Sequence, residues 1–344
     1  MATDDHDAGT ETTAKLLELI SIRRISEAIY VAAALGIADL LADGPRTGEE
    51  LAMACGAQPE ELRRVLRALS SIAVLSHDDA GRFALAAMGE RLRSDVSGSL
   101  RPAALWFGGE RAAQIDGLLL HCVKTGETAV HKLSGVGRFE GIQNDPEQAA
   151  IFNATMTAYS TLHLTGVLEA YDFSAIKQLV DVGGGHGKNI AEILTRHSQM
   201  RGVLFDMPHA FDGGKKTIAD TGLTERCEVV SGDFFQSVPE GADAYLLSRV
   251  IHDWNDERAV AILKVVRKAI APDGKLILLE VMIRGGDRPL YPVRSDLNMM
   301  LRTGGCERTE SEYRALYQAA GFKLIKTVAT TSPTGTTVIE GRPA

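Results

Sequence analysis

The sequence predicts an α/β protein: a C-terminal domain built on a parallel sheet covered on both faces, preceded by a mostly helical domain with a winged-helix outline. Three observations predict it. From about residue 178 onward, segments of strand and helix character alternate. One of those strands runs into a glycine-rich loop that opens a helix. Between about Thr12 and Arg93, apolar residues instead recur at three-to-four spacing. A chain of 344 residues exceeds one comfortable core, so the boundaries are placed at 1–99 for the winged-helix-like domain, 100–169 for a helical linker and 170–344 for the sheet domain.

Each element has its own signal. Leu16, Leu17, Leu19 and Ile20, then Ile29, Tyr30, Ala33 and Leu35, mark two amphipathic helices. Thr47-Gly48-Glu49-Glu50 opens a short helix, Cys55-Gly56 turns the chain, and Pro59-Glu60-Glu61-Leu62 starts a second helix running through Val65, Leu66 and Leu69. The segments 74–76 and 82–85, joined by the polar turn 77–81, read as a hairpin that completes the outline. The middle is helical with a glycine-rich break at Ser134-Gly135-Val136-Gly137. Strands are then expected at 177–182, 202–206, 227–231, 244–248 and 275–280, with helices at 187–197 and 256–271.

Composition excludes several classes. With 45% hydrophobic and 24% charged residues the chain is an ordinary folded protein. No apolar run approaches the roughly 18 residues of a membrane span, and the first ten residues are acidic where a secretory signal is basic and then apolar, so a cytoplasmic location is expected. Cys55, Cys122, Cys227 and Cys306 form no C-x-x-C pair, which argues against a disulfide framework or a zinc site. A net charge of -8 disfavours nucleic acid and anionic membrane as partners. Arg63, Arg64 and Arg67 lie on the second helix of the outline, but residues 1–99 hold ten basic against sixteen acidic side chains, so a DNA-reading face is not expected.

The glycine loop reads D-x-G-x-G-x-G, with Asp181, Gly183, Gly185 and Gly187; Lys188 stands where the dinucleotide fingerprint needs its third glycine. Such a loop lets an amino-acid carboxylate and a ribose lie against main-chain amides, although a tight strand-to-helix turn without ligand would look the same. Asp206, about 20 residues on at a strand end, is placed to accept hydrogen bonds from both ribose hydroxyls; an aspartate there can also cap a helix. Asp233 beside Phe234, after the next strand, suits an adenine: the carboxylate takes the exocyclic amine and the ring covers a face.

These motifs resemble those of the S-adenosylmethionine-dependent small-molecule O-methyltransferases of plant phenolic and bacterial natural-product pathways. The resemblance rests on Val180 to Gly187, on Phe205-Asp206-Met207-Pro208-His209, on Gly232-Asp233-Phe234-Phe235, on Ile251-His252-Asp253-Trp254 and on Gly304-Gly305-Cys306-Glu307-Arg308-Thr309-Glu310. Gly36 to Leu40 and Phe152 to Met156 extend it to nearly the full chain. It implies a Rossmann-like class I methyltransferase domain, a winged-helix dimerisation domain, a homodimer and S-adenosylmethionine as cofactor.

His252 follows the strand 244–248 on the sheet edge where open α/β folds bind ligands, and its ordinary pKa suits removal of a phenolic proton. The resemblance implies that role, with Glu280 and Glu307 bracketing the imidazole. In a pocket holding a sulfonium cation, the base is expected to start neutral. Glu307 could instead cap the helix at Thr309 or Glu310, and Asp253 could cap the helix through Glu257 or contact the imidazole, with the cap preferred. Ser248 and Arg249, where plant relatives frequently carry Lys-Trp, are assigned to the cofactor together with Asp181, Gly183, Gly185, Asp206, Asp233 and Phe234. For the acceptor, Trp106, Phe107, Phe152, Met156, Met299 and Met300 offer an apolar wall; Phe152, Met156 and Met299 match family pocket positions, and Asn298 adds an amide where an apolar residue is usual. These departures favour a bacterial aromatic or polycyclic metabolite over lignin-type substrates. No metal is expected. A relative with a diverged reaction would typically lack the histidine, nicotinamide chemistry is disfavoured by Lys188, and a winged-helix regulator by the acidic front half.

Overall fold

In the computed structural model, which describes residues 2–143, 145–285 and 290–344, the chain divides into two units, Met1–Gln114 and Ile115–Ala344. The expected linker 100–169 is therefore not a body of its own. Its helix Arg101–Phe107 falls in the first unit, and its helices from Leu119 to Ala170 fall in the second.

In the first unit the helix Gly48–Cys55 opens with a capping box: Thr47 Oγ1 accepts from the Glu50 amide, and the Glu50 carboxylate accepts from the Thr47 amide. Pro59 starts the helix Pro59–Ser71, whose Leu62, Leu66 and Leu69 are buried against Leu51, Val74 and Phe83. The hairpin Leu75–His77 and Arg82–Leu85 gains a third, two-residue strand, Arg46–Thr47, which completes the winged-helix outline. Helix Ala2–Ser21 keeps Leu16, Leu17, Leu19 and Ile20 more than half exposed.

Among the described residues the sheet of the second unit has eight strands, of which the two-residue Arg308–Thr309 pairs with the end of Lys275–Ile283 and the other seven are β1 (Gln178–Val182), β2 (Arg201–Asp206), β3 (Cys227–Ser231), β4 (Ala244–Ser248), β5 (Lys275–Ile283), β6 (Phe322–Ala329) and β7 (Thr336–Pro343). They lie in the order β3-β2-β1-β4-β5-β7-β6. The first five pair in parallel, as expected. The two strands at the other edge pair antiparallel, so the sheet is mixed rather than wholly parallel. Alternation along each strand sends Val180, Tyr245 and Leu276 to one buried face and Leu179, Leu246 and Ile277 to the other. Helices Asp256–Ala269 and Glu310–Ala319 cover the first face, and Lys188–Arg196 covers the second.

The chain reverses its direction of travel across the sheet after β1: it adds β2 and β3 on one side, then returns to place β4 on the other. The crevice outside the carboxyl ends of β1 and β4 is the place where such folds bind ligands.

Candidate active site

Gly183 leaves β1 with φ +70°, and its amide donates to the Phe205 carbonyl at 2.8 Å. A Cβ there would press on Val250, whereas a Cβ at Gly185, φ +56°, would point into open space. Asp206 ends β2 and binds this loop directly: its Oδ2 accepts from the Gly185 amide at 2.6 Å and its Oδ1 from the Met207 amide at 2.6 Å. Each oxygen retains acceptor capacity for a ligand hydroxyl. Asp233 Oδ1 accepts from the Phe235 amide at 2.8 Å, and Phe234 stands edge-on to Trp254. Open space over Gly185 beside a half-buried carboxylate fits a nucleoside cofactor.

Asp181 does not belong to that surface. It was expected among the ligand contacts, but it is fully enclosed beneath the loop, where a Cβ on Gly184 would strike its carboxylate. Burial first, and then the charge of Asp206, push its carboxyl up to about 7. It lies on the same face of the strand as Leu179, and neither of its carboxylate oxygens has a hydrogen-bond partner among the described residues.

Beyond β4 the chain enters a short 3-10 turn, Ile251–Asp253, that carries His252. The Arg249 amide donates to the Leu279 carbonyl, and the amides of Val250 and Ile251 donate to Glu280 Oε1 at 3.2 and 2.9 Å. His252 is 4% exposed and Glu280 and Glu307 are no more exposed than that, so the three groups share one enclosure. His252 Nδ1 donates to Glu307 Oε1 at 2.9 Å and lies 3.7 Å from Glu280 Oε2. Burial alone would push the imidazole pKa down, but the charges of Glu307, Glu280 and Asp253 outweigh it and hold the pKa above its ordinary value. These charges work against the neutral resting form that the sequence leads one to expect. Burial pushes Glu280 up to about 7, while Glu307 stays below the usual carboxylate range because His252, Arg249 and Ser295 overcome its burial.

Several supporting residues carry no signal in the sequence. Ser295 Oγ donates to Glu307 Oε1 at 2.6 Å, and the Glu307 amide donates to Asp296 Oδ1 at 2.9 Å, so helix Leu290–Arg302 fixes the acid. Arg308, 1% exposed, donates to Asp256 Oδ1 and to the Ile251 and Trp254 carbonyls, clamping the histidine turn. His163 on the helix Pro146–Ala170 lies 3.3 Å from Asn189 and 3.5 Å from Ser248 Oγ. The caps also differ from expectation: Thr309 and Glu312 form a capping box, so Glu307 is not the cap. Asn255, not Asp253, caps the helix Asp256–Ala269; Asp253 Oδ1 lies 3.9 Å from His252 Nε2.

Among the acceptor candidates, Phe152 and Met156 are partly exposed one turn apart on the helix Pro146–Ala170. Met299 is only 2% exposed, with its sulfur 3.8 Å from Thr303 Oγ1, so it backs the helix and offers almost no wall. Asn298 Oδ1 accepts from Arg302 Nε at 2.8 Å, which leaves its amide nitrogen for other contacts. Met300 packs toward Ile115, Cys122 and Val130. Arg249, assigned to the cofactor, has φ +55° and lies within electrostatic reach of Tyr291, Glu307, Glu280 and Tyr159.

Among the described residues, His252, Glu280 and Glu307 also form a group whose ligand atoms lie within 4.8 Å of one another, as a metal site would require. The Nδ1 to Oε1 separation of 2.9 Å is that of a hydrogen bond. Two ligands held at about 2.1 Å on one tetrahedral zinc stand ~3.4 Å apart.

Residues 118–323 match the O-methyltransferase domain, and residues 17–95 match the O-methyltransferase dimerisation domain. The chain is 39% identical over 329 residues to phenazine O-methyltransferase PhzM of Lysobacter antibioticus, covering 95% of each protein. It superposes on the crystal structure of LaPhzM with a TM-score of 0.91 at 38% identity, covering 97% of this chain and 99% of that one. NcsB1 from neocarzinostatin biosynthesis, solved with S-adenosylmethionine and 2-hydroxy-5-methyl naphthoic acid, aligns with a TM-score of 0.79 at 32% identity, covering 93% and 96%.

Proposed function

The chain belongs to the O-methyltransferase family whose members carry a dimerisation domain ahead of the catalytic domain, and from that premise we propose that it methylates a phenolic hydroxyl of an aromatic or polycyclic metabolite, with His252 as general base and without a metal. It is an S-adenosylmethionine-dependent O-methyltransferase of the bacterial natural-product type. The observation that carries the finer reading is the buried 2.9 Å bond between His252 Nδ1 and Glu307 Oε1 at the carboxyl edge of the sheet.

S-adenosylmethionine supplies a methyl group on a positively charged sulfur, ready for displacement by an oxygen nucleophile. Gly183, Gly185 and Asp206 would hold its ribose and amino-acid portions, with Asp233 and Phe234 at the adenine and Ser248 beside them. A phenol of pKa ~10 is mostly protonated near pH 7, so its proton must leave as the oxygen attacks. His252 can take that proton at Nε2, because Nδ1 already donates to Glu307. Glu307 and Glu280 then stabilise the imidazolium, and the base contributes roughly 10² to 10⁴ in rate.

An aromatic acceptor is supported by the phenazine and the naphthoic acid named for the relatives, and by the exposed rim of Phe152 and Met156. A homodimer is supported by the dimerisation-domain match and by the exposed Leu16, Leu17, Leu19 and Ile20. No helix among the described residues is long and apolar enough to cross a membrane. Incubation with labelled S-adenosylmethionine and a panel of phenols, with and without EDTA, tests the reading by mass gain. Transfer to a hydroxyl that survives EDTA is expected; activity lost to EDTA and restored by magnesium contradicts the metal-free base.

A further inference from the structure

Arg249 sits on the turn leaving β4, three residues before His252, and differs from the buried Arg308. Arg308 spends its donors on Asp256 and on backbone carbonyls. Arg249 Nη1 is closed off from solvent and has no hydrogen-bond acceptor among the described residues. Its backbone is held at φ +55°, a conformation that residues with a side chain rarely adopt, by bonds from its own amide to Leu279 and from the next two amides to Glu280. The sheet therefore maintains a strained turn that carries a half-buried guanidinium whose Nη1 is closed off from solvent.

Each neighbouring carboxylate has one oxygen engaged and its Oε2 without a hydrogen-bond partner among the described residues. Glu307 Oε1 accepts from His252 and Ser295, and Glu280 Oε1 accepts from the backbone of the turn. Glu280, pushed up to about 7 by burial, carries less than a full charge near neutrality. A desolvated N–H with no acceptor is unfavourable unless a ligand supplies one. The guanidinium carbon lies 5.9 Å from the centre of the Tyr159 ring, and Tyr291 is its largest Coulombic partner. Both tyrosines come from the helices that carry Phe152, Met156 and Asn298, whereas Gly183, Gly185, Asp206 and Asp233 follow β1, β2 and β3.

We propose that Arg249 is the recognition group for an anionic oxygen on the acceptor, and that the acceptor is an aromatic hydroxy acid whose carboxylate neighbours the hydroxyl to be methylated. A guanidinium fork matches a carboxylate in two parallel bonds, and gripping the acid three residues from His252 sets the adjacent hydroxyl toward the base. The inference rests on the methyl-transfer reading above and names its substrate class.

The test measures binding rather than turnover. The full-length protein is saturated with S-adenosylhomocysteine and titrated by calorimetry with 3-hydroxy-2-naphthoate and with its neutral carboxamide. The wild type should bind the carboxylate roughly ten- to a hundredfold more tightly. Arg249→Gln should erase that preference, Arg249→Lys should keep part of it, and the affinity of all three proteins for S-adenosylhomocysteine should agree within about threefold. A carboxylate that binds the wild type no better than its amide, or not at all, overturns the proposal. So does a preference that survives in Arg249→Gln, or a loss of S-adenosylhomocysteine affinity in both variants, which would place the cofactor's own carboxylate on Arg249. Failure of the wild type to bind S-adenosylhomocysteine would instead strike the methyl-transfer reading itself.

Discussion

Glu307 Oε1 lies 2.9 Å from His252 Nδ1 with both residues buried, and this bond leaves Nε2 as the ring nitrogen that Glu307 does not engage. A carboxylate only accepts, so Nδ1 carries a hydrogen, and in the neutral ring Nε2 keeps the lone pair. The same oxygen takes the Ser295 hydroxyl at 2.6 Å, and the Glu307 amide is tied to Asp296. Orientation of the base is thus set by helix Leu290–Arg302, some forty residues beyond the turn that bears it.

Glu307→Gln keeps an acceptor oxygen and removes a charge. Burial lowers the proton affinity of His252 and three carboxylates raise it, with Glu307 the largest of these; the balance is a raised pKa. Removing that charge lowers the pKa, so the acid limb of kcat/KM should move to lower pH, while kcat on a weakly acidic phenol falls by about tenfold or more. Paired pH–rate profiles decide it. A limb that stays in place would show that Glu307 does not govern the proton on His252.

Two glycines should disable the enzyme by different routes. Gly185→Val fills the open space above the loop, and cofactor affinity measured by calorimetry should fall by at least about a hundredfold, because the ligand loses its close approach to the backbone. At Gly305 a Cβ would overlap the His252 carbonyl oxygen and the Asp253–Trp254 peptide. Gly305→Ala should therefore lower kcat by at least about tenfold with cofactor affinity retained. Equal losses of cofactor affinity in both variants would count against this division.

His163 is 1% exposed, and burial, helped by Arg249, pushes its pKa down to about 4. An unfolded histidine titrates near ~6.5. Above that pH its contribution to stability is complete; as the pH falls toward 4 the unfolded chain takes up a proton that the folded one refuses, and the contribution is lost. Between pH 7.5 and 5 that loss is about 2 kcal/mol. Urea unfolding at the two pH values should show the wild type losing about that much more than His163→Gln; equal losses would mean that His163 is not held neutral.

The apolar strands and the glycine loop were legible because β1, β2, β4 and β5 are continuous buried runs closed by turn residues. β6 and β7 were not, since Lys323, Lys326 and Arg342 interrupt them, and the buried Glu340 accepts from the Tyr171 hydroxyl and pairs with Lys326 at 3.5 Å. The H-D-W motif located His252 among nine histidines, but neighbouring chemistry was ambiguous along the chain. Choosing between Glu307 as a cap and as a partner of His252 required seeing that Thr309 fills the cap. Asp181 reads as part of a ligand motif, and only the direction of its strand reveals that it faces inward. Ser295, Arg308 and His163 act through contacts 12 or more residues away, which no local pattern announces.

The central claim, that His252 removes the acceptor proton, is tested most directly by the ratio of wild-type to His252→Ala rates across phenols of graded acidity at one pH. A phenol of pKa ~10 should lose roughly 10² to 10⁴ in kcat, and one already ionised at the assay pH should lose far less, because its proton has gone before the methyl moves. Cofactor affinity should be unchanged, since His252 lies outside the loop that holds it. If both phenols lose rate equally, or if the alanine variant stays fully active on the weaker acid, His252 is not the general base and the enzyme works by positioning its two substrates alone.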